Sequence, residues 1–98
     1  MKHSENILVL GLGGVGDFLA HRLTHDGHQV TVIESNQETI LRADATLDAR
    51  LIHGDATSFV PWHEAGASKM DYMIAVTDDD ALNITAALIA NKLGIKHK

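Results

Sequence analysis

The sequence contains no cysteine and a single proline among its 98 residues. Without thiols the chain can form neither a disulfide framework nor a thiolate metal site, so nothing indicates an oxidising compartment and the cytoplasm is expected. With so little proline, and no low-complexity tract, no stretch is typical of a linker between domains. A chain of this length has room for one modest hydrophobic core, and a single domain is therefore predicted over residues 1–98.

Basic residues and long apolar runs are also scarce. The 8 lysines and arginines stand against 13 acidic residues, which gives a net charge of −5. A negative chain without a clustered basic patch repels a phosphate backbone, so nucleic acid is not an expected partner. The first apolar run, residues 7–10, is far too short for a membrane-spanning helix or a signal sequence. We therefore expect contact with a membrane only through a partner, with no direct insertion.

The chain does contain a regular alternation of short β-branched runs and helical patterns. Strands are predicted at Asn6–Leu10, Val30–Ile33, Arg50–His53 and Asp71–Val76, and helices at Val15–Asp26, from a Ser35–Glu38 capping box to Asp44, around Trp62–Ala65, and from the acidic run Asp78–Asp80 to Leu93. This alternation predicts an α/β fold, a Rossmann-like doubly wound parallel sheet with strand order 3-2-1-4. A doubly wound sheet has about six strands, so we expect this domain to be truncated at its C-terminal end, with a fifth strand beginning near Ile95.

The last predicted helix carries two apolar stripes. One recurs every three to four residues from Leu82 to Leu93, and a second, on another side, contains Ala81, Ile84 and Leu88. A helix that covers one face of a sheet needs only one stripe. The second stripe therefore predicts packing against further chain or a second subunit. A helix that is simply rich in alanine is the alternative.

The run that joins the first strand to the first helix fits the pattern G-x-G-x-x-G. Its residues are all candidate ligand contacts: Gly11, Leu12, Gly13, Gly14, Val15 and Gly16. In this pattern the first glycine permits a tight turn, the second lets the backbone approach a pyrophosphate, and the third lets the helix pack close to the sheet. The free N–H groups at the helix start then favour an anion. We interpret the run as a site for a dinucleotide or an adenine nucleotide, with a purely structural glycine turn as the alternative.

An acidic residue at the end of the second strand, Glu34, completes this pattern. A carboxylate there accepts hydrogen bonds from the adenosine ribose and repels a 2′-phosphate, so NAD(H) is favoured over NADP(H). The acidic run Asp78–Asp80 is interpreted as a helix cap rather than a cation site. His21 and His25 lie one helical turn apart but have no third ligand on that helix face, so no metal site is predicted. No residue stands in a nucleophile motif.

Four stretches of the sequence carry a resemblance to a known family. They are ILVLGLGGVG (residues 7–16), VTVIE (30–34), HGDAT (53–57) and EAGASKMDYMIAVTDDDALN (64–83). Together they resemble the N-terminal domain of Trk-type potassium uptake regulators, also called the RCK, KTN or TrkA-N domain. The last two stretches separate this family from ordinary dehydrogenases better than the glycine pattern does. The resemblance spans nearly the whole chain.

The resemblance implies a cytoplasmic, non-catalytic regulatory domain at the inner face of the membrane. Its partners would be a membrane-embedded potassium transporter or channel subunit and further copies of itself, in a dimer or a larger ring. Its ligand would be NAD(H), with ADP or ATP as the other possibilities. Many relatives that bind triphosphates carry arginine between the second and third glycines, where this chain has Gly14, and this difference favours NAD(H) or a diphosphate.

The resemblance also assigns positions to the candidate contacts outside the glycine run. Glu34 would meet the ribose with Ser35 beside it, Asp55 and Ala56 would lie on the adenine side, and Thr77 would lie near the opposite part of the crevice. Because Asp55 follows a glycine, a turn residue or helix N-cap is the alternative there. Two other functions stay open: the cofactor half of an NAD-dependent oxidoreductase, and the cytoplasmic tail of a cation/proton antiporter.

Overall fold

The structure, a computed structural model, describes residues 3–97. Strands and helices alternate along the chain as predicted. They are β1 (Asn6–Leu10), α1 (Gly14–His25), β2 (Gln29–Glu34), α2 (Gln37–Asp44), β3 (Arg50–His53), α3 (Phe59–Ala65), β4 (Tyr72–Ala75) and α4 (Asp80–Lys92). A short 3-10 turn, Ala67–Lys69, separates α3 from β4. No helix of the described part is long and apolar enough to cross a bilayer.

The four strands form one parallel sheet in the order β3-β2-β1-β4, which confirms the predicted topology. Strand β1 lies in the middle, where Val9 pairs with Val32 of β2 on one side and with Ile74 of β4 on the other. Leu8, Val9 and Leu10 have no exposed surface, because a central strand of a parallel sheet is covered on both faces. All four strands point the same way, so their carboxyl ends meet at one edge.

Helices cover the two faces of the sheet and divide the core into two layers. Since side chains alternate along a strand, Val9 packs towards α1 and α2, whereas Leu8 and Leu10 pack towards α3 and α4. The small residues Ala20 of α1 and Ala86 of α4 are fully buried at these contacts. Small side chains let the helices lie close to the sheet, which fixes their ends relative to the strand ends.

The start of α2 differs from the prediction. The Ser35–Glu38 capping box is wrong: the N-cap is Asn36, whose side-chain Oδ1 accepts the Thr39 N–H at 3.1 Å. The reason lies in Glu34, whose Oε2 accepts the Asn36 N–H at 2.8 Å. This bond holds Asn36 in an extended conformation, so the helix begins one position later than a serine cap would place it.

After α4 the chain turns back towards the sheet. Gly94 adopts a left-handed conformation, with φ of +82°, and Ile95 behind it is 1% exposed. The Met73 N–H then donates to the His97 carbonyl at 2.8 Å, and Tyr72 and His97 form a parallel bridge. The chain therefore runs beside β4 where the fifth strand is predicted. The truncation of the domain at its C-terminal end stays a prediction.

Helix α4 has the two stripes that its sequence indicates. Ala86 and Ala90 are fully buried against the sheet, whereas Ile84 and Leu88 are 65% and 64% exposed. Nothing within residues 3–97 covers this second side of the helix. What packs there stays a prediction.

Helix α1 approaches the end of β1 closely at Gly16, and replacement of Gly16 by alanine is the test of that contact. A Cβ atom at Gly16 would lie 2.1 Å from the Gly11 carbonyl oxygen, a main-chain atom that cannot move aside. Gly16→Ala is expected to lower the free energy of unfolding in urea by about 3 kcal/mol, the upper part of the range for overpacking.

Gly14→Ala is the matched control, because a Cβ there meets no heavy atom within 4 Å and alanine favours a helix. Equal stabilities of these two variants would show that α1 does not need this close approach.

Candidate functional site

The carboxyl ends of the strands border one crevice of about 570 Å³. From the central strand β1 the chain continues to β2 and β3 on one side and then crosses to β4 on the other side. A doubly wound sheet binds ligands where its strand order reverses in this way, and the crevice lies there. All predicted site residues except one line it: Gly11, Leu12, Gly13, Gly14, Val15, Glu34, Ser35, Asp55, Ala56 and Thr77. The exception is Gly16, which is buried behind the first turn of α1 and serves its packing.

Several lining residues were not among the sequence candidates. They are Ile33, Asn36, Thr39, Gly54, Val76, Asp78 and Leu82. Most directly precede or follow a predicted candidate along the chain, so the order of the strand ends could have suggested them. Thr39 and Leu82 are different, because each reaches the crevice from the first turn of a helix and not from the end of a strand.

The first turn of α1 offers main-chain N–H groups to this crevice. Its N-cap, Gly13, provides no side-chain acceptor, whereas Asn36 and Asp79 cap α2 and α4 through their side chains. The first helical bond runs from the Asp17 N–H to the Gly13 carbonyl at 2.8 Å, so the N–H groups of Gly13, Gly14 and Val15 precede it. The helix dipole adds positive potential at the same place. The turn therefore favours an anion without any basic side chain.

Space for such an anion is kept by two glycines. A Cβ atom at Gly13 or at Gly14 would meet no heavy atom within 4 Å, so this side of the turn is open to an approaching group. A Cβ at Gly11, in contrast, would lie 3.0 Å from both the Cα and the N of Thr77. Gly11 also has a φ of +98°, which side-chain-bearing residues rarely adopt. The glycine run therefore packs against Thr77, in the turn after β4, at its first residue, and it is open at Gly13 and Gly14.

Glu34 is fixed between the ends of β1 and β2. Its Oε1 accepts the Leu12 N–H at 2.7 Å and its Oε2 accepts the Asn36 N–H at 2.8 Å. A carboxylate has about four lone-pair positions, so both oxygens can accept further hydrogen bonds from hydroxyl groups. The carboxylate therefore stands beside the glycine turn in a set orientation, where a sugar with two neighbouring hydroxyls would find an acceptor.

Asp55 shapes the turn after β3 through its side chain. Its Oδ1 accepts the Thr57 N–H at 2.9 Å and the Thr57 hydroxyl at 2.7 Å. These bonds, the main-chain one first, hold the pKa of the exposed Asp55 carboxyl below its ordinary value, so it remains charged. The N-cap of α3 is Ser58, so of the two structural alternatives for Asp55 the turn residue is confirmed and the helix cap is wrong. Asp55 nevertheless borders the crevice.

An aromatic side chain of the hydrophobic core holds the same turn in place. Trp62 is 2% exposed, and its Nε1–H donates to the Ala56 carbonyl at 2.8 Å. Pro61 packs on Gly54, where a Cβ atom would lie 2.6 Å from the proline ring. The position of Ala56 at the crevice is therefore set by the core rather than by a mobile loop.

The turn after β4 is closed by a residue that the sequence candidates omitted. The Asn83 side chain bonds the N–H, the hydroxyl and the carbonyl of Thr77. The signal for Asn83 lay in the D-D-D-x-x-N ending of the fourth sequence stretch. Its contact with Thr77, however, depends on how α4 begins.

The side chains around the crevice carry negative charge. Glu34, Asp55 and Asp78 line it, and no lysine, arginine or histidine does so among residues 3–97. Basic side chains occur in a neighbouring groove of about 440 Å³, which shares the glycine turn and is lined by His21 and Arg42. An anion in the crevice must therefore be held by N–H groups against three carboxylates, so each additional phosphate makes binding less favourable.

No group of three metal-ligating side chains is present in the described part of the chain. His21 Nδ1 lies 3.5 Å from a carboxylate oxygen of Asp17, one turn earlier on α1.

Relatives with similar sequences are Trk system potassium uptake proteins TrkA. The protein from Vibrio alginolyticus is 33% identical over 84 residues, which cover 86% of this chain and 18% of that protein. The protein from Halomonas elongata is 34% identical over 93 residues, covering 94% and 20%. A TrkA homolog from Methanothermobacter thermautotrophicus is 34% identical over 89 residues, covering 91% and 41%. The chain thus spans about a fifth to two fifths of the length of these relatives.

Among solved structures, the chain is similar to the Kef CTD of Shewanella denitrificans in its AMP-bound form. The TM-score is 0.77 with 17% sequence identity, over 95% of this chain and 55% of that one. At this identity the likeness establishes the Rossmann-like fold. The sequence profile of the TrkA-N domain matches residues 7–98, which include all the site residues described above. The chain therefore belongs to the TrkA-N domain family.

Proposed function

We propose that this chain is a regulatory domain that binds an adenine nucleotide, preferably NAD(H), in the crevice. The observation that carries the proposal is the pairing of two features: the uncapped first turn of α1, and the Glu34 carboxylate held 2.7 Å from the Leu12 N–H beside it. The first suits a phosphate and the second suits a ribose. The AMP-bound Kef CTD, which has the same fold, supports an adenosine phosphate as the ligand.

The charges around the crevice favour a ligand with few phosphate charges. NAD(H) presents a diphosphate whose two ends are both esterified, whereas ATP adds a terminal phosphate to a crevice that is lined by three carboxylates, those of Glu34, Asp55 and Asp78. Among residues 3–97, no basic side chain lines the crevice to offset that charge. Gly14 stands at the position where many relatives that bind triphosphates carry an arginine. Glu34 would also repel a 2′-phosphate. We therefore infer the order NAD(H) before ADP, with ATP and NADP(H) last.

We further propose that the role is regulatory rather than catalytic. The relatives at 33–34% identity are potassium uptake proteins, so the partner would be a membrane-embedded potassium transporter or channel subunit on the cytoplasmic side. Within the crevice, Glu34 and Asp55 are both engaged by main-chain N–H groups, as suits binding and turn formation rather than proton transfer. The oxidoreductase half and the antiporter tail have no comparable observation in their favour.

The exposed side of α4 supports a second copy of the chain as a further partner. Ile84 and Leu88 lie about one helical turn apart and each exposes nearly two thirds of its surface. Pairing of two such sides would bury them. A nucleotide that binds the paired and unpaired forms with different affinity would then shift the assembly.

Calorimetric titration tests the nucleotide site. We expect NADH to bind more tightly than ADP, and ADP more tightly than ATP. Glu34→Ala should weaken NADH binding about tenfold to a hundredfold, because hydrogen bonds to a charged acceptor are lost. Glu38→Ala is the control, since Glu38 is exposed on the next helix and does not line the crevice. Unchanged affinity in Glu34→Ala, with circular dichroism confirming its fold, would contradict the assignment.

Light scattering over a range of protein concentrations tests the self-association. The wild-type chain should form dimers or larger rings as its concentration rises, and Ile84→Asp with Leu88→Asp should remain monomeric because charges would be buried at the contact. Phe59→Asp with Val60→Asp, at an equally exposed apolar pair on α3, serves as the matched control. A wild-type chain that is monomeric throughout would refute this contact.

A further inference from the structure

One side chain of α4 holds the end of β4 in place. Asn83 Oδ1 accepts the Thr77 N–H at 3.1 Å and the Thr77 hydroxyl at 2.6 Å, and Asn83 Nδ2 donates to the Thr77 carbonyl at 3.1 Å. The carboxamide therefore binds every polar group of a single residue. Asn83 is itself fixed in the first turn of α4, where its N–H donates to the Asp79 carbonyl at 3.0 Å.

The residue that Asn83 holds lies directly against the glycine turn. Thr77 Cα and N are the atoms that a Cβ at Gly11 would approach to 3.0 Å, with Thr77 Cγ2 at 3.1 Å. The preceding residue, Val76, donates its N–H to the Leu10 carbonyl at 3.0 Å. Main-chain contact thus runs from the glycine turn to Thr77 without a mobile side chain between them. A shift of the turn towards Thr77 would therefore press directly on the Thr77 main chain.

Asn83 also stands next to the uncovered side of α4. Its neighbour Ile84 and, one turn on, Leu88 are the exposed residues of that side. A helix transmits a displacement of its first turn along its length because its backbone bonds make it a rigid element. The carboxamide is therefore placed between the crevice and the surface of α4.

We propose that Asn83 is a positioning residue that clamps Thr77 against the glycine turn and thereby links occupancy of the crevice to the exposed Ile84–Leu88 side of α4. The link rests on the proposed nucleotide site for its ligand, but the clamp itself does not. Asn83 does not touch the ligand in this account; it acts through Thr77. Removal of its side chain leaves the N–H and the carbonyl of Thr77 without their partner and leaves the Thr77 hydroxyl bonded to Asp79 alone, so the clamp weakens.

The ligand-free clamp is tested by amide hydrogen exchange on the intact chain. In Asn83→Ala, amide exchange should accelerate at Thr77. The decisive result is exchange at Gly11 and Leu12, in the glycine turn next to Thr77, which should accelerate about tenfold, the factor expected for one or two net hydrogen bonds. Asn91→Ala is the control, because Asn91 lies exposed on the same helix, away from Thr77. Unchanged exchange at Gly11 and Leu12 would overturn the clamp.

The link is tested by repeating the exchange with saturating NADH. In the wild-type chain NADH should slow exchange in α4 from Ile84 to Leu88 as well as in the glycine turn. Asn83→Ala should still bind NADH, at most about tenfold more weakly. In this variant NADH should slow amide exchange in the glycine turn but not in α4. Asn83→Asp, which keeps the acceptor oxygen, should restore part of the α4 protection. Equal α4 protection in Asn83→Ala and in the wild type would overturn the link.

Two outcomes separate this inference from the nucleotide proposal. A wild-type chain that binds no NADH, ADP or AMP refutes the nucleotide site and the link to it, while exchange at Gly11 and Leu12 without ligand still decides the clamp. If Asn83→Ala does not fold, Asn83→Leu replaces it, since leucine has nearly the shape of asparagine and removes all the carboxamide bonds to Thr77. Asn83→Leu must then give the same loss of α4 protection, or the link is wrong.

Discussion

The close approach of α1 to the end of β1 is the constraint on which the rest of the structure depends. Gly16 lies so near the Gly11 carbonyl that no side chain fits between them, and this contact brings the start of the helix over the middle of the sheet edge. The sheet order places β2 and β4 on either side of that point. The open N–H groups of one helix therefore face the turns after three other strands.

Fixed hydrogen bonds convert this geometry into a preorganised site. Glu34 binds main-chain N–H groups of two turns, Trp62 holds the turn after β3, and Asn83 holds the turn after β4. A ligand that meets turns already in place loses little free energy in ordering them. In the proposed nucleotide site the carboxylates around the crevice would discriminate by charge, since they would disfavour extra phosphates more strongly than the adenosine.

The sequence predicts what local patterns determine and misses what tertiary contacts determine. The alternation of β-branched runs and helical patterns is sufficient for the strand order, and the glycine pattern after β1 is sufficient for the turn that forms the site. The start of α2 is misplaced because Glu34, which is also bonded to the Leu12 N–H in the turn after β1, accepts the Asn36 N–H, and Asn36 rather than Ser35 caps the helix. Gly16 serves the helix packing that the glycine pattern predicts, and its contact with a ligand stays a prediction. The role of Asn83 depends on the angle at which α4 leaves β4, which no spacing rule supplies.

We propose that the first N–H groups of α1 bind a phosphate, while the Glu34 carboxylate remains bonded to the Leu12 N–H and also accepts hydrogen bonds from the ribose. Titration of the isotopically labelled chain with NADH, followed through its amide resonances, tests it most directly. Large changes in amide chemical shift are expected at Gly13, Gly14 and Val15, because their N–H groups gain acceptors. A small change is expected at Leu12, whose N–H keeps its acceptor at 2.7 Å. Saturating NADH that leaves Gly13, Gly14 and Val15 unshifted would contradict it.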